Sequence, residues 1–515
     1  METKAALGNK KSITFRNWLA NQGREWILFG LFLALQCAYF VYSFMSIQNS
    51  EELSDAYGLM AAGLPIARSS ANVISALCGL ILLTVSRMFL SLARKTWLGL
   101  FIPFDKSVAF HAWIGLAIVF WSIVHCTAHY INFIHISSAF GQSPENLSIS
   151  SGPGLTGHIA TISLFLLTTA AYPAIRHVKF EVFWYAHHAS ILFFISLIFH
   201  GSFCFIRSNN DIEDACHGGP TFWKWVIGPV ILYGCERVIR EYRGRLPTTI
   251  LRVIDHPSNV VELQIEKPSM KVSCGQYVYI CCPEISILQW HPFTLTSSPH
   301  DNCLSVHIRI VGDWTRELAA LFRHPAKSLP YIILDGGYGA ATVDVFKFKV
   351  VMLIGAGIGV TPYASVLKTI KTQLEGESSL YKTIKVYFFW ICRDTSCFEW
   401  FQDLLEKIEI ENKHVSIDIY TYITGNFVEH QIQNISLNDT IDGLDPITGL
   451  KSLTRFGRPN WELIFEQVDN NHLSADVGVF YCGPKPLSQA LQTACNRGND
   501  TSRNRNRFFY KKEVF

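Results

Sequence analysis

The chain is 515 residues long, 49% hydrophobic and only 17% charged, with a mean hydropathy of +0.21. That length excludes a single small module, and because soluble proteins carry about 25% charged residues, the composition points to a membrane protein. A net charge of +3, with no basic run or repeated aromatic motif, argues against nucleic acid as a partner.

The charges are unevenly placed. Residues 26–45, 69–86, 107–131, 157–175 and 182–203 contain no Asp, Glu, Lys or Arg, and each is about the 18 residues or more that a helix needs to cross hydrocarbon. A weaker sixth stretch runs from Thr221 to Cys235, interrupted by Lys224 and followed by Arg237, Arg240, Arg243 and Arg245, which read as a cytosolic stop. The first stretch lies behind a basic leader and lacks a small-residue cleavage pattern, so it reads as an anchor rather than a signal peptide. Lys and Arg concentrate in the leader (Lys4, Lys10, Lys11, Arg16, Arg24) and in two connections (Arg94, Lys95, Lys106; Arg176, Lys179). The positive-inside bias then places six spans with both termini in the cytosol. Asn146-Leu147-Ser148 is a glycosylation sequon in an outer loop, and Cys204 and Cys216 fall together in the last outer loop, where a disulfide is permitted. The sequons at Asn434, Asn438 and Asn499 fall in the cytosolic half and read as chance matches.

Helix three carries His111, His125 and His129; helix five carries His187, His188 and His200. Ionisable residues in spans are costly and usually functional. An isolated histidine would be explained by helix–helix hydrogen bonding or a proton path. Matched pairs about 20 Å apart along each helix instead suit two haems stacked across the bilayer, each ligated from both sides. Fourteen residues, at about 100° each, return within roughly 40° of the same face, whereas 13 leave an offset near 140° and a start from His188 leaves about 120°. Ideal geometry thus leaves His187 and His188 both open, and requires helix five to bend or the two haems to be rotated. Arg68, at the outer end of helix two, is either a snorkelling flank residue or a cation near the outer haem.

After Pro247 the chain reads as soluble. TTILRVI (248–254), NVVELQI (259–265), QYVYICC (276–282) and LSVHIRIV (304–311) alternate apolar and polar residues, which predicts an antiparallel barrel. Between strands lies HPFTLTS (291–297), whose aromatic and hydroxyls could face a flat ring, and Arg309 supplies a cation for a pyrophosphate; either could be an ordinary strand end. FKVVMLIGAGIGVTP (348–362) predicts a buried strand, a glycine-rich turn and a helix begun by Thr361-Pro362. The spacing is GxGxG and not the dinucleotide fingerprint GxGxxG, but such a turn still suits a phosphate at a helix N-terminus. KVYFFWICRD (385–394) ends in Arg393-Asp394, where a 2′-phosphate or a ribose would be read, leaving NADPH and NADH both open.

HPFTLTS, HIRIVGDWT (307–315), GAGIGVTP, ICRDTSCFEWF (391–401), ITGLKSLTRFGRPNW (447–461) and CGP (482–484) stand behind FHAW…HCTAH (110–129) and FEVFWYAHH…H (180–200). In this order they closely resemble the phagocyte-type catalytic subunits of NADPH oxidases, over roughly residues 26–515. The resemblance implies a multidomain fold. A leader (1–25) precedes a six-helix transmembrane bis-haem domain (26–245), an FAD-binding antiparallel β-barrel (246–345) and an NADPH-binding α/β domain (346–515). Electrons would pass from cytosolic NADPH through FAD and two b-type haems to O₂ outside, producing superoxide.

Residue by residue, it implies His111 and His187 on the inner haem, His125 and His200 on the outer one, and Arg68 with His129 beside the site of oxygen reduction. His291, Pro292, Phe293 and Thr294 would contact the flavin ring, with Arg309, Trp314 and Thr315 around the rest of FAD. Gly355, Gly357, Gly359, Thr361 and Pro362 would take the NADPH pyrophosphate, and Arg393 and Arg458 the 2′-phosphate. Cys482, Gly483 and Pro484 would lie by the nicotinamide, and Phe515 would cover the flavin. Implied partners are a small membrane subunit, cytosolic activators and a Rac-type GTPase, at a plasma, endosomal or phagosomal membrane.

The chain lacks an acidic calcium-binding extension, so the expectation is a protein outside the calcium-gated branch; the outer loop at about 201–221 is short, and GGYGAA (336–341) and the YKKEVF tail vary from the phagocyte-type pattern. Two rivals stand beside this reading. A ferric or cupric reductase shares the wiring, and Asp211, Glu213 and Asp214 would give it an acidic outer mouth. A proton channel or scaffold with an inactive reductase half is the other, against which the intact glycine turn and paired histidines argue.

Overall fold

The computed structural model describes residues 19–141, 143–203, 221–324, 328–339, 341–374, 383–411, 416–425 and 443–513. Cys204, Asp211, Glu213, Asp214, Cys216, Asn434, Asn438, Phe515 and the leader lysines lie outside them. Two compact units result: Glu25–Val238, and a second formed by the described residues up to Arg24 together with those from Ile239 onward.

Among the described residues four helical stretches are long and apolar enough to cross a membrane: Asn21–Gln48, Gly63–Leu83, Phe104–Ala139 and Phe180–His200. Helices also form at Gly152–Ala170 and Phe222–Arg245, where the fourth and sixth spans are expected. Their inner faces share one core, to which Phe32, Ile74, Ile118, Trp121, Phe193 and Val226 contribute from five helices. A buried amide is satisfied within it: Trp121 Nε1 donates to Gln36 Oε1 at 2.9 Å, and Gln36 Nε2 donates to Phe32 O at 3.1 Å. Such pairing lets a buried amide hold two helices in register where no water can replace a lost partner.

Two helices differ from their sequence outline. The third, expected over 107–131, runs on to Phe140 because nothing breaks it before Gly141, whose left-handed φ of 69° ends it. The fifth is interrupted: Phe180–His187 and Ala189–His200 meet at His188, where the backbone tightens to a His188 N–H donating to Tyr185 O at 3.1 Å.

The second unit begins with two three-stranded antiparallel sheets. One has the order β1-β2-β5, formed by β1 (Thr249–His256), β2 (Val260–Glu266) and β5 (Leu304–Arg309). The other has the order β4-β3-β6, formed by β4 (His291–Thr294), β3 (Gln276–Cys281) and β6 (Ile333–Gly339). HPFT is itself a strand and not a link between strands; it pairs with β3 from Tyr277↔Thr294 to Ile280↔His291. Pro292 is tolerated there because β4 is an edge strand, with one ladder to serve. Both sheets close over a single core of Leu263, Ile265, Val278, Ile280, Val306 and Leu334.

The remainder is a six-stranded parallel sheet, order β10-β9-β8-β7-β11-β12. Its strands are β7 (Val350–Ala356), β8 (Lys385–Cys392), β9 (Ser416–Ile423), β10 (Arg455–Phe456), β11 (Asp476–Cys482) and β12 (Arg507–Lys512). Central strands β7, β8 and β11 are buried nearly throughout, which explains their unbroken apolar sequences. Strand order turns back at β7: β8 and β9 follow on one side, β11 and β12 on the other. A crevice opens at such a switch point, at the C-terminal ends of the strands.

Candidate functional site

The membrane unit brings its histidines into two facing pairs. The rings of His111 and His187 are 6.1 Å apart and those of His125 and His200 6.0 Å apart, centre to centre. His188 faces away: it lies against Trp184 and Tyr185, and bonds Trp184 O through Nδ1 at 2.9 Å. The interruption at His188 lets His187 and His200, 13 residues apart, both meet the third helix.

Three of the four rings are oriented by a partner on Nδ1. His111 meets Thr84 Oγ1 at 2.9 Å, His125 meets Ala67 O at 2.8 Å, and His200 meets Thr156 Oγ1 at 3.2 Å. Each threonine hydroxyl already points its proton at its own helix, Thr84 to Ile81 O at 2.6 Å and Thr156 to Gly152 O at 2.8 Å. Their oxygens can therefore only accept, and Ala67 O is an acceptor by nature, so the ring proton sits on Nδ1 and the Nε2 lone pair is left for a ligand. His129 packs against His125, ring centres 4.6 Å apart, and Arg68 directly follows the residue that orients His125. None of these oxygen partners carries a sequence signal, because Thr84 and Thr156 lie on other helices than the rings they hold.

In the flavin lobe His291 stacks on Trp314 with ring centres 4.2 Å apart, and burial depresses the imidazole to about 4, so it is neutral at physiological pH. Trp314 is only 3% exposed and packs into the lobe's core, so it supports His291 and Phe293 instead of offering an open face. Thr315 starts the Asp313–Phe322 helix: its Oγ1 accepts from Gly312 N–H at 3.0 Å and Val311 N–H at 3.1 Å. Thr294 is buried on β4, and Arg309 is exposed at the end of β5.

The nucleotide segments converge on the switch point. Gly355, one residue before the end of β7, pairs with Cys482 at the end of β11. Gly357 takes a φ of 56°, a conformation that glycine adopts without strain. Gly359 packs so closely on Cys482 that a Cβ there would collide with the Cys482 carbonyl. The helix Thr361–Leu374 starts at this turn, with Pro362 in its first turn and its N-terminus at the crevice. Its Ser365 hydroxyl donates to Ser297 O at 2.7 Å, fastening the turn to the segment that carries His291 and Thr294. Arg393 follows β8 and Arg458 follows β10, both exposed at the same edge of the sheet with β9 between them.

One participant was not visible in sequence. β12 pairs with β11, bringing Lys512 beside Tyr481, and the next residue, Glu513, is buried with its carboxylate accepting from both the N–H and the hydroxyl of Thr342. The chain's end is thereby anchored at the nucleotide crevice; Phe515 itself lies outside the described residues.

Comparison with known proteins accords with this layout. Family models match for a ferric reductase like transmembrane component (75–198), an FAD-binding domain (245–342) and a ferric reductase NAD binding domain (348–496). The protein is thus a membrane flavoprotein reductase, in which an apolar helical region precedes a flavin- and nicotinamide-binding module. A superoxide-generating NADPH oxidase heavy chain of Dictyostelium discoideum is 37% identical over 97% of this chain and 98% of its own. NADPH oxidase 3 of Homo sapiens is 35% identical over 97% and 99%, and NADPH oxidase 1 of Mus musculus 34% over 98% and 96%. The chain belongs to the NADPH oxidase family, and FAD and NADPH are its cofactors.

Proposed function

We propose that this chain is a six-span oxidase that takes electrons from cytosolic NADPH, passes them through FAD and two b-type haems, and reduces O₂ to superoxide on the far side of the membrane. The observation that carries this reading is the pair of facing histidine couples. Two imidazoles sharing one iron through bonds of about 2 Å each would need ring centres about 6 Å apart. The rings stand at 6.1 and 6.0 Å. Both couples lie in an apolar helical interior, and Nε2 is the free nitrogen wherever Nδ1 is held, so the donor set fits bis-histidine haem. When bound, NADPH supplies a hydride, FAD divides it into single electrons, and the haems carry these across.

The chain's own residues position and select. The glycine turn at 355–359 and the N-terminus of the Thr361–Leu374 helix hold a pyrophosphate, while Arg393 and Arg458 hold the 2′-phosphate. Cys482, Gly483 and Pro484 would border the nicotinamide and β4 would border the flavin, while Glu513 holds the end of β12 at the crevice. Arg68 and His129 stand beside the outer couple, where a fixed cation stabilises the anion formed from O₂. The small membrane subunit, cytosolic activators and Rac-type GTPase implied by the resemblance belong to the same reading. The haem domain extends to about residue 245, with the FAD domain to 345 and the NADPH domain beyond it.

The first test is a reduced-minus-oxidised spectrum of the purified protein with haem quantified per chain. Two six-coordinate b-type haems are expected, falling to one in His125→Ala or His200→Ala; unchanged haem in both variants would overturn the ligand assignment. The acceptor is then settled by NADPH-driven cytochrome c reduction. Sensitivity to superoxide dismutase supports the oxidase, and insensitive reduction with preferential turnover of a ferric chelate supports the metal reductase.

A further inference from the structure

The outward face of the β1-β2-β5 sheet carries a cluster that electron transfer does not use. Val261, Leu263 and Ile265 of β2 point into the flavin-lobe core, so alternation turns Glu262 and Gln264 to the opposite face. Glu262 lies on the central strand, directly opposite His307 of β5, and His256 ends β1 on its other side. Its Oε2 is 3.1 Å from His256 Nε2 and 3.7 Å from His307 Nε2, and the three side chains offer ligand atoms that all lie within 4.8 Å of one another. Bonds of about 2.0–2.2 Å at tetrahedral angles set neighbouring donors on a zinc ion about 3.4 Å apart. The two separations that involve Glu262, 3.1 and 3.7 Å, bracket that spacing.

Two details separate it from an ordinary ion pair. His307 is only 6% exposed, yet its Nε2 has no hydrogen-bond partner among the described residues, a costly state for a buried nitrogen. Its Nδ1 is 3.0 Å from Thr296 Oγ1, a partner that can hold the ring proton at Nδ1 and so leave Nε2, on the Glu262 side, for a metal. On the other side of the carboxylate, Gln264 Nε2 donates to Glu262 Oε1 at 3.0 Å, which leaves Oε2 turned toward both rings.

We propose that His256, Glu262 and His307 bind a divalent transition cation of the zinc class. Two imidazoles and a carboxylate suit zinc, whereas calcium and magnesium take oxygen sets. The site lies under the nucleotide-binding lobe: the Phe401 ring is 4.6 Å from His307, Trp400 Nε1 donates to Pro257 O at 3.0 Å, and Ser258 Oγ donates to Asp394 Oδ2 at 3.1 Å. A cation here ties the flavin-lobe sheet beneath the turn that follows Arg393, a structural role distinct from the haem and flavin centres.

The test uses the purified full-length protein with haem and FAD bound, stripped by a chelator and titrated with zinc chloride against a chromophoric chelator at neutral pH. One tight zinc per chain is expected in the unaltered protein. It should be lost in Glu262→Gln and His307→Gln and weakened about tenfold or more in His256→Gln. Unchanged flavin and haem absorbance shows that a variant has folded. His256 is the less enclosed of the two histidine ligands, so its variant decides if the other two do not fold. Cobalt in place of zinc gives a second readout, visible d–d bands that change with each substitution. No tight zinc in the unaltered protein, or equal binding in the folded variants, would overturn the site.

Discussion

Thr84 and Thr156 each hold a histidine ring of the proposed haem couples without facing the metal position themselves. Each uses its one proton on its own helix and accepts from a histidine Nδ1–H at 2.9 or 3.2 Å. Accepting that proton makes the imidazole a stronger electron donor, which favours ferric over ferrous iron. Thr84→Val should therefore retain two haems but raise one potential, by on the order of 40 mV if about 1 kcal/mol of hydrogen bond is lost from the ferric state. Spectroelectrochemical titration reads this directly; two unmoved potentials would mean that the hydroxyl is mere packing. Charge works by the same logic at the nucleotide end. Arg393 and Arg458 are exposed, and a 2′-phosphate is the one group by which NADPH exceeds NADH. Replacing either with Ala should raise the KM for NADPH about tenfold and leave that for NADH nearly unchanged. Equal rises for both nucleotides would remove these residues from phosphate recognition.

At the scale of elements, the fifth helix marks where sequence reading stops. Charge-free runs located it and its histidines, yet an ideal wheel could not bring both His187 and His200 to one partner helix. The local tightening at His188 does so, and no proline or glycine announces it. The alternating strands β1, β2, β3 and β5 and the buried β7 and β8 were legible because period and apolar run length record burial. β4, β6 and β12 were not. Pro292 disguises the first, glycines 336, 337 and 339 the second, and the charged ladder of β12 looks like a tail until β11 pairs with it. Helix contact also explains Gly157. A Cβ at this position would stand 3.2 Å from His200 Cε1 and 3.5 Å from its Nδ1, so the glycine leaves room for the ring. Gly157→Leu should displace His200 and halve the haem content while leaving flavin content intact. Retention of two haems would show that the ring has another place to go.

For the molecule as a whole, the reductase unit is held at its start by a buried charge cluster. Asp335 of β6, 1% exposed, accepts from Arg240 Nε at 2.9 Å, Arg243 Nη2 at 2.6 Å and the Tyr338 hydroxyl at 2.6 Å. Two arginines that read in sequence only as a cytosolic stop thus fasten the end of the Phe222–Arg245 helix to the flavin lobe's own sheet. Burial alone would raise the Asp335 carboxyl, but the Tyr338, Arg240 and Arg243 hydrogen bonds outweigh it and hold the carboxyl below its ordinary value. A depressed carboxylate contributes stability that is fully present above its unfolded pKa, about 3.9, and is lost as pH falls through the lower folded value. Asp335→Asn leaves two arginines facing a neutral amide, a loss of about 3–5 kcal/mol for a broken buried pair. Flavin release on heating should then occur roughly 5–10 °C earlier at neutral pH. Below about pH 4 the gap between the two proteins should narrow, because the unaltered carboxylate gives up its contribution there while the amide has none to lose. A variant that melts with the unaltered protein at neutral pH, or a gap that persists undiminished into acid, would show that the cluster does not hold the unit together.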